Sequence, residues 1–280
     1  MRPMVARLDP DLASRLREVG IDPERLGDPA KAWRRLRERF GRRATLIDRY
    51  ALEAVHRGVK PCELGRAVRD RVTVEVLEAS FPGFEVLAES DRVSRDAIDV
   101  VPYDAVWPGQ FATWRVRLAE ALSATARRID HVGSTSVPGL AAKPVIDVQV
   151  SVPDVEDESA YVTAIESVGV AFRSRDDAHR YFRPAGDRPR VVQIHVCPTG
   201  SAWERDHLLF RDFLRSHAES ADAYGRLKCM LAAEYRDDRI AYNEAKTNFI
   251  LDTADRAEAW ATKTGWRVDS PRAINRRTSP

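Results

Sequence analysis

The run Pro144-Val145-Ile146-Asp147-Val148-Gln149-Val150 places a carboxylate in the middle of a stretch that otherwise has the composition of a buried strand. Side chains alternate along a strand, so Ile146, Val148 and Val150 point one way while Val145, Asp147 and Gln149 point the other. An acid in so apolar a run is costly unless it is paired, solvated or bound to a cation. Asp147 is therefore the residue that most restricts what this chain can build: a core under one face of the strand and a polar surface on the other. The run Val191-Val192-Gln193-Ile194-His195-Val196 has the same design, with Val192, Ile194 and Val196 on one face and Gln193 and His195 on the other. If the two strands are neighbours, Asp147, Gln149, Gln193 and His195 line one polar surface.

A turn, Gly133-Ser134-Thr135-Ser136, follows a strand expected over residues 128–132 and precedes Pro138-Gly139-Leu140. Gly133 lets the backbone approach a ligand closely. Ser134 and Thr135 offer hydroxyls, and successive backbone N–H groups can cradle an anion. The spacing is not that of a Walker A loop, because Lys143 lies four residues beyond Gly139 and is followed by Pro144. The bland alternatives are a turn that satisfies its own hydroxyls, a surface cation at Lys143 and a hydrogen-bonded core histidine at His195. His131, just before the turn, is expected to orient it through a hydrogen bond.

The first third of the chain reads as helices: residues 10–19 closed by Gly20, 29–40 opened by Asp28-Pro29, 45–56 before Gly58, and 61–80 broken by Phe81-Pro82-Gly83. Residues 85–100 read as a linker. The pattern then changes. A helix with Phe111, Trp114, Leu118 and Leu122 on one stripe precedes strands at 128–132 and 144–152, a helix at 156–168 and strands near 179–184 and 190–197. Helices follow at 203–217, 221–235 and 240–260. The expected organisation is an all-helical domain over 1–84, the linker, an α/β (α+β) domain over 101–262 with a small mixed sheet flanked by helices, and a disordered tail over 263–280.

Apolar residues make up 44% of the 280, enough for a real core. The 45 Lys and Arg nearly cancel the 43 Asp and Glu, so charge gives no general case for nucleic acid. Arg34, Arg35, Arg37, Arg39, Arg42 and Arg43 form a basic knot that reads as a solvated helix face, with attachment to a phosphate-rich partner as the alternative. Cys62, Cys197 and Cys229 form no CxxC pair, which fits a reducing compartment. There is no signal-like core and no apolar run of spanning length, so a cytoplasmic protein with no membrane attachment is expected.

From about residue 103 to residue 260 the sequence resembles the GrpB family, an offshoot of the nucleotidyltransferase superfamily with its polymerase-beta-type fold. The resemblance is carried by Tyr103-Asp104, Trp107 and Asp130-His131-Val132-Gly133-Ser134-Thr135-Ser136-Val137-Pro138-Gly139-Leu140-Ala141-Ala142-Lys143-Pro144-Val145-Ile146-Asp147. It continues through His179-Arg180-Tyr181-Phe182, Gln193-Ile194-His195-Val196, Arg205-Asp206-His207, Phe210-Arg211-Asp212-Phe213-Leu214, Tyr224, Leu227-Lys228 and Tyr242-Asn243-Glu244-Ala245-Lys246. The first hundred residues lie outside it. In that superfamily the turn holds phosphates and strand carboxylates hold divalent metal.

Carried over, the resemblance implies that Gly133, Ser134 and Thr135 face the phosphates, with Lys143, Arg180, Lys228 and Lys246 as further contacts. Arg211 is a weaker candidate of the same kind. Asp147 would coordinate Mg²⁺ and, with His195, form the catalytic pair. The second acid of the superfamily pattern, two residues after the first, is here Gln149, and the third position falls at His195. One carboxylate, one amide and one imidazole make a weak magnesium site. Two expectations follow. One is a Mg²⁺-dependent nucleotidyltransferase. The other is a non-catalytic module that binds a nucleotide or a protein partner, the helical third docking the partner, as in relatives that form the C-terminal part of dephospho-coenzyme A kinases.

Overall fold

The computed structural model describes residues 8–80, 85–86, 97–186 and 188–269. The chain divides into two compact units, Met1–Pro82 with Asp238–Leu251, and Gly83–Asp237 with Asp252–Pro280.

The first unit is helical: α1 (Pro10–Glu18), α2 (Pro29–Phe40), α3 (Leu46–Arg57) and α4 (Arg66–Ser80). The starts of α1, α2 and α3 are capped as their residues dictate, whereas the helix expected over 61–80 opens as a 3₁₀ turn, Pro61–Glu63, with α4 beginning at Arg66. Asp9 accepts from Asp11 N at 2.9 Å, and Asp28 accepts from Ala30 N at 2.8 Å. Thr45 and Asp48 form a reciprocal capping box on α3. The Asp48 carboxylate also takes both terminal nitrogens of Arg15, at 2.8 and 3.0 Å, and Trp33 Nε1 donates to Thr45 O at 3.1 Å. One capping segment therefore ties α1, α2 and α3 together over a core of Leu12, Leu16, Trp33, Leu36, Leu46 and Leu52. Arg34, Arg35, Arg39 and Arg42 are exposed.

The helix expected over 240–260 is two helices, α9 (Arg239–Glu244) and α10 (Thr247–Thr264). Asp238 caps α9 by accepting from Ala241 N at 2.9 Å and pairs with Arg69 at 3.0 Å, while Glu244 accepts from Leu46 N at 3.4 Å. These long-range contacts draw residues 238–251 to the helical unit, where chain order alone placed them in the second domain.

The second unit contains α5 (Trp107–Leu122), β2 (Arg128–Val132), β3 (Ile146–Val152), α6 (Val162–Glu166), β4 (Val170–Arg175), β5 (Arg180–Pro184), β6 (Val192–Pro198), α7 (Ala202–Ser216) and α8 (Ala218–Glu234). A two-residue strand, β1 (Glu85–Val86), completes a mixed sheet of order β1-β4-β5-β6-β3-β2. Among the described residues, β3 with β6 is the parallel pair and the other four pairs are antiparallel. Ile146, Val148, Val150, Val192, Ile194 and Val196 are all buried, together with Phe182, Leu118 and Leu122. Each such side chain contributes roughly 1.5–3 kcal/mol on burial. A one-residue slip would exchange them for Asp147, Gln149 and His195, so the register is strongly fixed.

Several boundaries differ from expectation. β1 lies in the stretch read as linker, and residues 87–96 of that stretch lie outside the described residues. Beyond them, Ile98 N donates to Arg236 O, and Val101 exchanges hydrogen bonds with Ala142, each at 2.9 Å. β4 was not expected at all, because a register shift between Phe172 and Ser174 breaks its two-residue alternation. The helix expected over 156–168 is a 3₁₀ turn, Glu158–Ala160, followed by the short α6. At the other end, Trp266 Nε1 donates to Asp212 at 3.2 Å and Asp269 O accepts from Arg128 at 2.9 Å, so the chain stays engaged to residue 269. The rest of the expected tail, 270–280, lies outside the described residues. Among those that are described, no helix is long and apolar enough to cross a membrane.

Candidate functional site

Cross-strand partners fix which side chains share a face. Val132 opposes Asp147, Asp147 opposes Gln193, Gln149 opposes His195, and Tyr181 opposes His195. The Asp147 carboxylate rests directly on Gly133, whose φ of 68° and ψ of −172° belong to a region that glycine alone occupies freely. A β-carbon built on Gly133 would stand 2.2 Å from Asp147 Oδ2. The glycine thus serves two needs, the turn and the seat of the carboxylate.

His195 Nε2 lies 3.7 Å from Asp147 Oδ1. Its Nδ1 is hydrogen-bonded to His179 Nε2 at 2.9 Å, and His179 Nδ1 lies 3.6 Å from Asp176 Oδ2. Carboxylate, imidazole, imidazole and carboxylate therefore follow one another across the sheet. Burial pushes the His179 imidazole below its usual range. Trp203, on the first turn of α7, stacks on His179 with ring centres 4.8 Å apart, and Tyr181 flanks His195 at 5.4 Å. Asp176 and Trp203 were not singled out by sequence. His179 and Tyr181 were visible only as part of a motif, and the cross-strand pairing that gives them their neighbours is tertiary information.

The hydroxyls of the turn are not equivalent. Thr135 is 1% exposed; its Oγ1 donates to Val145 O at 3.2 Å and accepts from His131 Nε2 at 3.0 Å. The Thr135 hydroxyl, expected at the phosphates, is thus engaged in bracing the turn. Ser136 Oγ donates to Gly133 O at 2.6 Å. Ser134 is half-buried. His131 does brace the turn through Thr135, and its ring stacks on Phe111 at 4.7 Å. Burial pushes its pKa down to about 4, so it is neutral at pH 7 with the proton on Nε2. From α7, Arg211 donates to His131 O and Arg215 to Ser136 O, which clamps the turn from outside.

Of the four cations expected at the phosphates, Lys143 is half-buried, and Lys228 is 2% exposed with its Nζ 4.6 Å from the Tyr224 ring centre. Lys246 falls in the segment grouped with the helical unit, where it donates to Asn243 Oδ1 at 3.1 Å and lies over the Tyr242 ring. Arg180 is placed elsewhere. It alternates with Tyr181, so it points to the face opposite His195, where Glu158 at 2.5 Å and Glu156 at 2.8 Å hold it. Its sequence context hid those partners, which lie more than 20 residues earlier. Arg180→Met is expected to lower unfolding free energy by about 2–3 kcal/mol in urea titrations. Ligand-induced stabilisation should stay unchanged; its loss in a folded variant would return Arg180 to the binding face.

Gln149, at the superfamily's second acidic position, is fully buried, and its Nε2 donates to Glu204 O at 3.4 Å beneath the start of α7. The position is both neutral and covered. Among the described residues no three His, Cys, Asp or Glu side chains converge as a metal cluster. One half-buried carboxylate with an imidazole and a buried amide does not fit a two-Mg²⁺ centre, which needs several hard oxygen donors. A separate cavity of about 350 Å³ lies beside β2, lined by Arg128, Asp130, Arg211, Asp212 and Arg215 among others. Its charges are largely matched: Arg128 pairs with Asp130 at 2.6 Å, and Arg211 with Asp212 at 2.7 Å.

Fold and face together define a mixed-sheet α/β unit with a half-buried carboxylate, Asp147, seated on a glycine turn. The GrpB protein family profile matches residues 97–256, and the chain belongs to the GrpB family. It is 39% identical over 162 residues to the UPF0157 protein of Streptomyces coelicolor, covering 58% of this chain and 85% of the relative. It is similar to the crystal structure of the conserved protein GrpB from Enterococcus faecalis, with 31% identity, a TM-score of 0.52 and coverage of 58% of this chain and 99% of that one. It is also 30% identical over 203 residues to the dephospho-CoA kinase of Mycobacterium tuberculosis, spanning 63% of this chain and 50% of the kinase. The family match begins at residue 97, so α1–α4 lie outside it.

Proposed function

We propose that this chain binds a nucleotide or another phosphorylated small molecule on the Asp147 face of its sheet, as a recognition module and not as a two-cation nucleotidyltransferase. The observation that carries the reading is the seating of the Asp147 carboxylate on Gly133, the residue that opens the Gly-Ser-Thr-Ser turn. A phosphate fits the backbone N–H groups and hydroxyl of the turn with Lys143. Asp147 is an acceptor for a ribose hydroxyl or a base amine, and His195 can donate or accept beside it. Recognition is favoured over transfer because the second carboxylate is replaced by the covered amide of Gln149. A second reading, service to a kinase, is supported by the dephospho-CoA kinases that carry a similar region over half their length.

Thermal unfolding with ATP and dephospho-coenzyme A, each with and without Mg²⁺, tests this. A ligand at a hundred times its Kd should add about 2.7 kcal/mol, or roughly 5–10 °C in Tm. Asp147→Ala should lose most of that gain. No shift with either compound would sink the reading, and Mg²⁺-dependent release of pyrophosphate would replace it with nucleotidyl transfer.

A further inference from the structure

Lys228 is a buried amine that no side chain or carbonyl among the described residues satisfies. Helix α8 lies close against the loop that leads into β3: a β-carbon on Gly225 would meet Leu140 Cδ1 at 3.5 Å and Ala141 at 3.9 Å. Lys228 follows three residues later, on the same side of the helix. Its side chain is 2% exposed, and its Nζ has no hydrogen-bond partner among the described residues. The Tyr224 ring offers only a π face. An ammonium carries three donors, so a buried one without acceptors is strongly disfavoured. Burial accordingly pushes this amine down to about 7, Lys143 acts in the same direction, and Asp147 and Cys229 oppose them.

Resting on the phosphorylated-ligand reading of the same face, we infer that Lys228 Nζ receives an anionic oxygen of the bound ligand and takes up a proton as it does so. The ligand supplies an acceptor within hydrogen-bond reach of Nζ and adds to the negative charge that Asp147 provides from further off. The proton comes from solvent, and no bond between heavy atoms is made or broken. Binding is then linked to pH through Lys228: half of the amines are neutral near pH 7, and the ligand must find or create the charged form.

The test is calorimetric titration of the full chain with ATP, without divalent cation, in buffers of different ionisation enthalpy. Wild type should take up about half a proton more per ATP at pH 7 than Lys228→Arg, whose guanidinium is always charged. Between pH 6 and pH 8 the wild-type affinity should fall about tenfold relative to that variant. Lys228→Met, checked for folding by thermal unfolding, should bind at least about tenfold more weakly than wild type at pH 6. Equal proton uptake by wild type and Lys228→Arg, or undiminished binding by a folded Lys228→Met, would overturn the role of Lys228 and leave the binding site standing. Absence of ATP binding by the wild type would defeat the inference together with the nucleotide reading beneath it.

Discussion

Gly133→Ala should destabilise the protein by about 3 kcal/mol, measured by urea denaturation. Two costs add. The backbone at φ 68° and ψ −172° is strained for any residue with a β-carbon, at about 1–3 kcal/mol. The new methyl group would also stand 2.2 Å from Asp147 Oδ2, 2.8 Å from its Cγ and 2.9 Å from its Cβ, so the carboxylate must leave its seat. A double-mutant cycle separates the two. With Asp147→Ala in the background, the carboxylate part of the clash disappears, and the cost of Gly133→Ala should drop by about 1 kcal/mol. The Cβ contact and the strained backbone keep the remainder. Strict additivity of the two substitutions would show that Gly133 serves the turn alone and does not seat Asp147. The same cycle bears on function, because in a folded Gly133→Ala variant the new methyl group displaces Asp147, and the nucleotide-induced stabilisation should be lost.

Acidification should unlock the turn through His131. Its imidazole has a folded-state pKa pushed down to about 4, chiefly by burial, against the 6.5 of an exposed histidine. The unfolded chain therefore binds this proton first as pH falls. The contribution of His131 is fully present above pH 6.5 and is lost progressively between pH 6.5 and pH 4. The whole of that loss is roughly 3 kcal/mol. Protonation also forces a charge between the Phe111 ring and the core, with Arg211 and Arg215 near enough to oppose it. His131→Gln keeps a side-chain donor for Thr135 and cannot be charged. The stability difference between wild type and this variant, followed by denaturant titration from pH 7 to pH 4, should shrink by about that amount. A difference that stays constant would mean that His131 is not buried in its neutral form.

The Asp147 face is legible in the sequence because six branched residues at alternate positions of β3 and β6 leave a strand only one way to turn. That pattern shows which side is polar, and it identified Asp147, Gln149, Gln193 and His195 as one surface, conditional on the pairing. The parallel register of β3 with β6 supplies the pairing. What local sequence could not show is which polar groups are already used. Thr135 and Ser134 look alike in the turn, yet Thr135 is tied to Val145 and His131, and Ser134 is not. Arg180 looks like an anion contact until Glu156 and Glu158 are found beside it. β4 escaped detection because its bulge destroys the only periodic signal a short strand has.

By itself, then, the sequence determined the direction in which the central strands face, the capped starts of α1–α3 and the glycine turn leading to Asp147. These are local quantities, set by side-chain size, φ preference and hydrogen-bonding reach over a few residues. Tertiary structure alone decided that residues 238–251 join the helical unit, that Gln149 is sealed under α7, that His179 continues the line from Asp147 through His195 to Asp176, and that Lys228 is buried without an acceptor. Each depends on burial or on a partner far away in the chain. A side chain's charge and hydrogen-bonding capacity are fixed by its identity, whereas what remains of them for a ligand is fixed by its neighbours.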